Sequence, residues 1–351
     1  MKPTIYKVIL FIAYLKLLVV SNIHAQQKKQ EEKFIYPAQK WLDSKGKAIN
    51  AHGGGILFHN GIYYWYGEHK IEGKSEEQFA DAGIHCYASA DLINWTDAGI
   101  VLSVDYTPNS TLDLAYGCLI ERPKVVYNSK TRMFIAYFKY YPKGFGYEIA
   151  YVGVAVAASP TGPFVYSHKF LGGGSPKGSG DFSMFQDDDG QLYHLAVRKP
   201  DKAFVMTRMN DDYLMPATEY TVCSGVEPHT EAPAIIKANG LYHLLGSGST
   251  GWKPNVARYY TSTSIIGMWK VNPNPLNGFN NVDSLGVEKT FGGQSSFIIK
   301  VNGLKDVYIA MFDIWKPSMP IEGRYIWLPI QFHKKMFSIQ WLNQWNLDIF
   351  K

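Results

Sequence analysis

The sequence predicts an all-β chain folded as a five-bladed β-propeller, and three observations carry that prediction. A polar turn followed by an aromatic strand recurs five times, with its aromatic residue at Tyr63, Phe134, Tyr193, Tyr242 and Tyr308. The repeats stand about 50 to 70 residues apart, the irregular spacing that four-stranded blades with variable loops produce. Sustained 3.6-residue periodicity is almost absent, and 15% of the residues are aromatic, a class that strands favour. Two packed sheets also use hairpins, but five matching units point to radial repetition.

Taken in order, residues 1–25 read as a targeting segment. Lys2 and Lys7 precede the apolar run Val8 to Val20, and Ala25 supplies a small residue for cleavage. A membrane anchor needs about 20 apolar residues, and Lys16 interrupts the run. The expectation is export, to the periplasm or the medium. Residues 26–33, rich in Gln, Lys and Glu, read as a solvated linker, and 34–351 as the propeller domain.

The first repeat is the clearest. Asn60-Gly61 ahead of Ile62-Tyr63-Tyr64-Trp65-Tyr66 is a hairpin signal. Before it stands Asn50-Ala51-His52-Gly53-Gly54-Gly55, where missing side chains let backbone come close to a ligand. The later turns are Asn128 to Arg132, Asp189-Gly190, Asn239-Gly240 and Asn302-Gly303. A second element follows three of the hairpins: a strand ends at a Ser, turns, and reopens at an aromatic. It covers Tyr87 to Trp95, Val156 to Phe164 and Tyr260 to Trp269.

Composition excludes several functions. A net charge of +5 without a basic run does not imply nucleic acid. Cys86, Cys118 and Cys223 are an odd set, which rules out a complete disulfide framework and reads as buried packing. Asp187-Asp188-Asp189-Gly190 has the residue types of a calcium loop, but the strand after it makes it a hairpin turn. His52 has no second ligand at metal spacing. No metal and no cofactor are expected.

Inner strands of a propeller converge on its axis, so polar residues at their ends matter most. One stands in each unit: His52, Glu121, Asp181, Glu231 and Gln294. Glu121 beside Arg122 is either half of a structural ion pair or a tuned carboxylate. Glu121 and Glu231 open two units in the same way, and a pair of carboxyls is what glycoside hydrolysis requires. Trp252, between glycines, is a sugar platform or a core aromatic.

At these residues the chain resembles glycoside hydrolase family 43, and within it the exo-β-1,3-galactanase branch. The resemblance rests on Asn50 to Gly55 with Tyr63 to Glu68, Glu121 to Lys124, Asp181 to Gly190, Glu231 to Ala234, Ser247 to Asn255 and Gly292 to Ser295. It implies a five-bladed propeller that hydrolyses glycosidic bonds with inversion, acting on galactan or arabinogalactan side chains; a monomer is expected. It makes Glu231 the general acid and Glu121 the carboxylate that tunes it. The family's Asp base is absent, since His52 stands at its place; the branch shares that absence and uses a Gln aligned with Gln294 on the water, as its imidic tautomer. His52, Glu68, Arg122 and Asp181 would bind sugar, with Thr250 and Trp252 nearby. Two departures, Thr230 before Glu231 and Arg198-Lys199-Pro200-Asp201-Lys202 in a stretch otherwise rich in Ser, Glu and Asn, leave the sugar open. An α-L-arabinofuranosidase or β-galactofuranosidase and a non-catalytic sugar-binding propeller remain as alternatives.

Overall fold

Alternation of aromatic and β-branched residues between Asn-Gly and Asp-Gly turns leaves the chain little choice but hairpins. A computed structural model describes residues 33–76 and 81–351. The targeting segment and all of the linker but Lys33 lie outside the described residues. Phe34 to Lys351 forms one compact unit, built of five blade sheets with antiparallel blade strands in chain order and a two-stranded ribbon, Phe279–Asn280 with Leu285–Gly286.

Blade one is His52–His59, Ile62–Lys70, Asp81–Ser89 and Thr96–Ser103. Blade two is Leu119–Asn128, Met133–Tyr141, Tyr151–Ala157 and Val165–Leu171. Blade three is Ser179–Gln186, Leu192–Arg198, Phe204–Arg208 and Thr221–Val222. Blade four is Thr230–Ala238, Leu241–Gly248, Ala257–Ser262 and Lys270–Asn272. Blade five is Gln294–Lys300, Tyr308–Ile314, Arg324–His333 and Met336–Gln340, with Leu276–Asn277 added in parallel to its last strand.

The first strand of each blade touches that of the next, and blade five's touches blade one's, which closes the ring. The predicted propeller is the observed fold. All five repeat aromatics sit on second strands, and Trp95, Phe164 and Trp269 are buried at the entries to fourth strands. The ring is fastened where its ends meet. Ile35 and Trp345 exchange backbone hydrogen bonds of 2.7 and 3.0 Å, beside a buried stack of Trp65, Trp95 and Trp327 onto which Trp41 packs. Asp187 to Gly190 is the expected turn, its Asp187 carboxylate tied to Lys237 Nζ at 2.8 Å in the next blade. The three cysteines are buried and unbridged.

The glycines of the first stretch serve the protein's own packing. A Cβ on Gly54 would overlap the Tyr66 carbonyl, and one on Gly53 the Glu68 carboxylate. The close approach expected there is real, but its partner is the second strand of the same blade and not a ligand.

One device positions everything that follows. Each inner strand carries one extra residue at the same end: between His52 and Gly55, Glu121 and Lys124, Ser179 and Phe182, Glu231 and Ala234, and Ser295 and Phe297. Such bulges re-aim side chains, commonly beside active sites. Gly53, Arg122 and Ala232, each one residue past a blade's polar residue, adopt left-handed backbone with φ of 59°, 51° and 54°.

Candidate active site

The five bulges open onto a cavity of about 400 Å3 at one end of the axis. Glu121, Arg122, Asp181, Glu231 and Gln294 reach it from inner strands, Glu68, Lys70 and Lys139 from second strands. Loops add Tyr147, Lys199, Lys202, Ser249, Trp252 and Trp315. Strand register sets the pairs: His52 lies opposite Glu68, Glu121 opposite Lys139, Glu231 opposite Ser247 and Gln294 opposite Asp313.

Charges alternate across the floor. Lys70, fully buried, holds Glu68 at 2.7 Å, Glu76 at 2.9 Å and Asp81 at 2.6 Å. The second oxygen of Glu68 accepts the Arg122 backbone N–H at 2.8 Å. Arg122 Nε reaches Asp181 at 2.9 Å, and Lys139 bridges Asp181 at 3.0 Å and Glu121 at 2.8 Å. Burial works against ionisation of Asp181, but the charges of Arg122 and Lys139 outweigh it and hold the carboxyl well below its usual range.

Glu231 is different. Its nearest cation is Lys202, at 3.9 Å. Burial pushes its pKa up, and the charge of Asp181 adds to the shift. The carboxylate that raises Glu231 is therefore Asp181; Glu121, to which the resemblance gave that part, is spent on Lys139.

Gln294 is clamped at both ends of its amide. Its Oε1 accepts from Arg122 Nη2 at 2.5 Å and from Trp315 Nε1 at 2.9 Å, while its Nε2 donates to Ser247 Oγ at 3.0 Å. Arg and Trp have no acceptor to offer, so the amide's orientation is fixed by its partners. Beneath it, Lys124 Nζ donates to the carbonyls of Gly53, Arg122 and Pro123 at 3.0, 3.3 and 3.3 Å. Burial brings that ammonium down to about 7 and lifts the neighbouring Asp313 carboxyl to about 6.

Of the nine residues singled out in the sequence, seven line the cavity. His52 does not. It is buried behind Glu68, stacked on Tyr325 at 5.2 Å, and burial lowers its pKa to about 3. Thr250 does not either: its hydroxyl donates to the Lys253 carbonyl at 2.6 Å and accepts from Asn255 at 2.6 Å, which closes its own turn. Trp252 is a rim aromatic, 41% exposed and edge-on to Tyr147 at 6.3 Å. Lys139, Lys70 and Trp315 were not singled out. Lys139 carried a signal, since a lysine inside the aromatic run Tyr137 to Tyr141 is buried and needs an acid.

The family model of glycosyl hydrolases family 43 matches residues 55–309. The chain belongs to glycosyl hydrolase family 43. Among solved structures, a family 43 β-1,3-galactosidase determined with galactodeoxynojirimycin is 36% identical and has a TM-score of 0.80, the match covering 89% of this chain and 100% of that one. The exo-β-1,3-galactanase of Phanerochaete chrysosporium, solved with galactose, is 30% identical with a TM-score of 0.76, over 90% of this chain and 68% of that one. A β-D-galactofuranosidase of Aspergillus niger is 26% identical over 224 residues, 62% of this chain and 62% of that enzyme's length. As a family 43 member the protein is a glycoside hydrolase, cleaving O-glycosyl bonds of a poly- or oligosaccharide with inversion. Inversion needs an acid on the leaving oxygen and a water on the opposite face of the sugar.

Proposed function

We propose that this enzyme is an exported, monomeric exo-glycosidase that releases galactose from β-1,3-galactan or arabinogalactan side chains, with Glu231 as general acid. One observation carries the assignment of the acid. Of the five carboxylates lining the cavity, Glu68, Glu76, Glu121 and Asp181 each stand within 3.0 Å of a buried cation. Glu231 alone does not, and burial together with the charge of Asp181 holds its proton. A general acid must arrive protonated and leave as an anion, and the neighbouring Lys202 stabilises that anion. The 36% identity to a β-1,3-galactosidase over the whole length of that chain supports the sugar.

Glu68, Arg122 and Asp181 hold sugar hydroxyls on the floor, with Trp252 above as an apolar face. Gln294 places the attacking water. In the imidic form its oxygen would carry a proton, directed at two groups that only donate; the amide form keeps both bonds. Its part is thus to orient water from the free N–H of Nε2. The relative from Aspergillus niger favours a second reading, release of a galactofuranoside by the same acid. The test is monosaccharide release from β-1,3-galactan, with a galactofuranoside, arabinan and xylan alongside and Glu231→Gln as blank. Galactose from galactan by the wild type alone is the expected result. Release only from the furanoside keeps the acid and replaces the sugar, and equal release by Glu231→Gln refutes the acid.

A further inference from the structure

We infer that the wall of the cavity built by Lys199 and Lys202 is a subsite for an anionic substituent on the substrate, a carboxylate or a sulfate ester. The inference rests on the galactanase reading for the sugar in the cleavage site and adds what its neighbour carries.

Both lysines belong to the hairpin between the second and third strands of blade three. That turn is fixed by the bonds Arg198 N–H to Ala203 O at 2.8 Å and Lys202 N–H to Arg198 O at 3.0 Å. The only acid in the turn, Asp201, is taken by Arg198 at 2.6 Å. Lys199 is laid over the Tyr141 ring at 5.0 Å and donates to the Tyr147 carbonyl at 2.7 Å. Among the described residues no carboxylate lies within ion-pair distance of it, and the one near Lys202 is Glu231, at 3.9 Å. Lys139 makes a third cation on the same wall, already neutralised by Glu121 and Asp181.

The charge is therefore unbalanced in the working state. When Glu231 holds its proton, Lys199 and Lys202 face the cavity without an anion between them. The crowding is felt: burial, then the charges of Lys139 and Lys202, bring Lys199 down to about 8. A wall built for neutral hydroxyls gains nothing from two such cations, because desolvating an ammonium costs more than a neutral hydrogen bond returns. An anion between them removes the repulsion and supplies the missing partner. Lys202 stands beside Glu231 and Lys199 beside Tyr147, which meets Trp252 across the rim, so the wall leads outward from the acid, and we place the substituent on the sugar next to the one cleaved.

The test compares kcat/KM on three β-1,3-galactobioses whose reducing galactose carries at O6 a hexuronate, a sulfate or a neutral hexose. Each is run with the wild type, K199Q, K202Q and the double variant. The quantity read is the ratio of each anionic substrate to the neutral one within the same enzyme, which cancels any effect of Lys202 on the acid itself. We expect the wild type to favour an anionic substrate roughly tenfold, the sum of two half-exposed charge pairs. The preference should fall about threefold in each single variant, vanish in the double, shrink with added salt, and return in K199R. The favoured anion identifies the source of the charge. A wild-type ratio near one, or a ratio that survives in the double variant, overturns the inference. If none of the three substrates is cleaved, the galactan reading has failed instead. Calorimetric titration of free hexuronate against hexose onto wild type and K199Q then decides the wall by itself: tighter hexuronate binding lost in K199Q supports it, and equal binding refutes it.

Discussion

Replacing Lys202 by Met should extend activity to higher pH. With Glu231 as the proposed acid, it must be protonated to act, so kcat/KM should fall as pH rises through its pKa, and that limb reports the free enzyme. A cation 3.9 Å away favours the anion and lowers the pKa, so removing it moves the limb upward. The size follows from Coulomb's law. At 3.9 Å in a water-like dielectric, fitting for a lysine side chain 32% exposed, a unit pair is worth about 1 kcal/mol, or about 0.8 pH unit. Salt trims this, and we expect K202M to shift the alkaline limb up by about 0.5 unit in ordinary buffer. Asp181→Asn should shift it the other way, since that change removes a negative charge and frees Lys139 and Arg122 to act on Glu231. The assay is kcat/KM against pH on a neutral galactobiose. Limbs that stay put in both variants, or move in the same direction, would refute Glu231 as the titrating acid.

Three further outcomes follow from the packing. Gly54→Ala should cost about 3 kcal/mol in chemical denaturation, because the new methyl meets the Tyr66 backbone, which has no room to yield; a midpoint equal to wild type would show that the strands can part there. Asp313→Asn should flatten the dependence of stability on pH. The folded carboxyl titrates at about 6 against an ordinary 3.8, so between those values the folded state binds the extra proton. Its contribution is full at the low end and is lost as pH rises through about 6. The variant should gain on wild type across that window in thermal melts, and parallel curves would refute it. Ala232→Gly should leave stability nearly unchanged. A buried alanine in a strand normally loses about 1.5 kcal/mol on this change, from the lost methyl and added chain entropy. At a φ of 54° the relief of left-handed strain returns about the same amount. A loss near the ordinary value would show that the bulge is unstrained.

Much of the fold was readable because its signals are local. An Asn-Gly turn and the aromatic strand after it lie within ten residues, and five copies of one unit leave few architectures. The five polar residues were sought by the same logic, and the register supports three: His52, Glu121 and Glu231 each open their blade's bulge, whereas Asp181 lies inside blade three's and Gln294 one residue ahead of blade five's. Their partners were not readable in this way. Lys139 bonds Glu121 because the two are opposite in register, and nothing in the chain between them announces that register. Lys70 gathers Glu68, Glu76 and Asp81 across a hairpin and the loop that follows it. His52 misled for the opposite reason. It stands in the right place in its unit, but Gly53 turns the strand so that the imidazole is pressed against Tyr325.

The bulges explain why equivalence in sequence and partnership in space part company here. In a regular strand alternate residues share a face, so Glu121 and Lys124 would point to opposite sides. With the extra residue, Glu121 pairs with Lys139 and Lys124 with Tyr137, and since Lys139 and Tyr137 are two apart, both inner residues now share one face. The same insertion puts Glu231 opposite Ser247 and Ala234 opposite Leu245. Were it absent, Glu121 would be carried away from Lys139 and Glu231 from the cavity it shares with Asp181, while the blade below the bulge would be untouched. The site is thus a second register laid over the first at one end of the propeller. Its charges can be rearranged by a one-residue change there without disturbing the core, as at His52, which lies opposite Glu68 at the start of blade one's bulge and points away from the cavity.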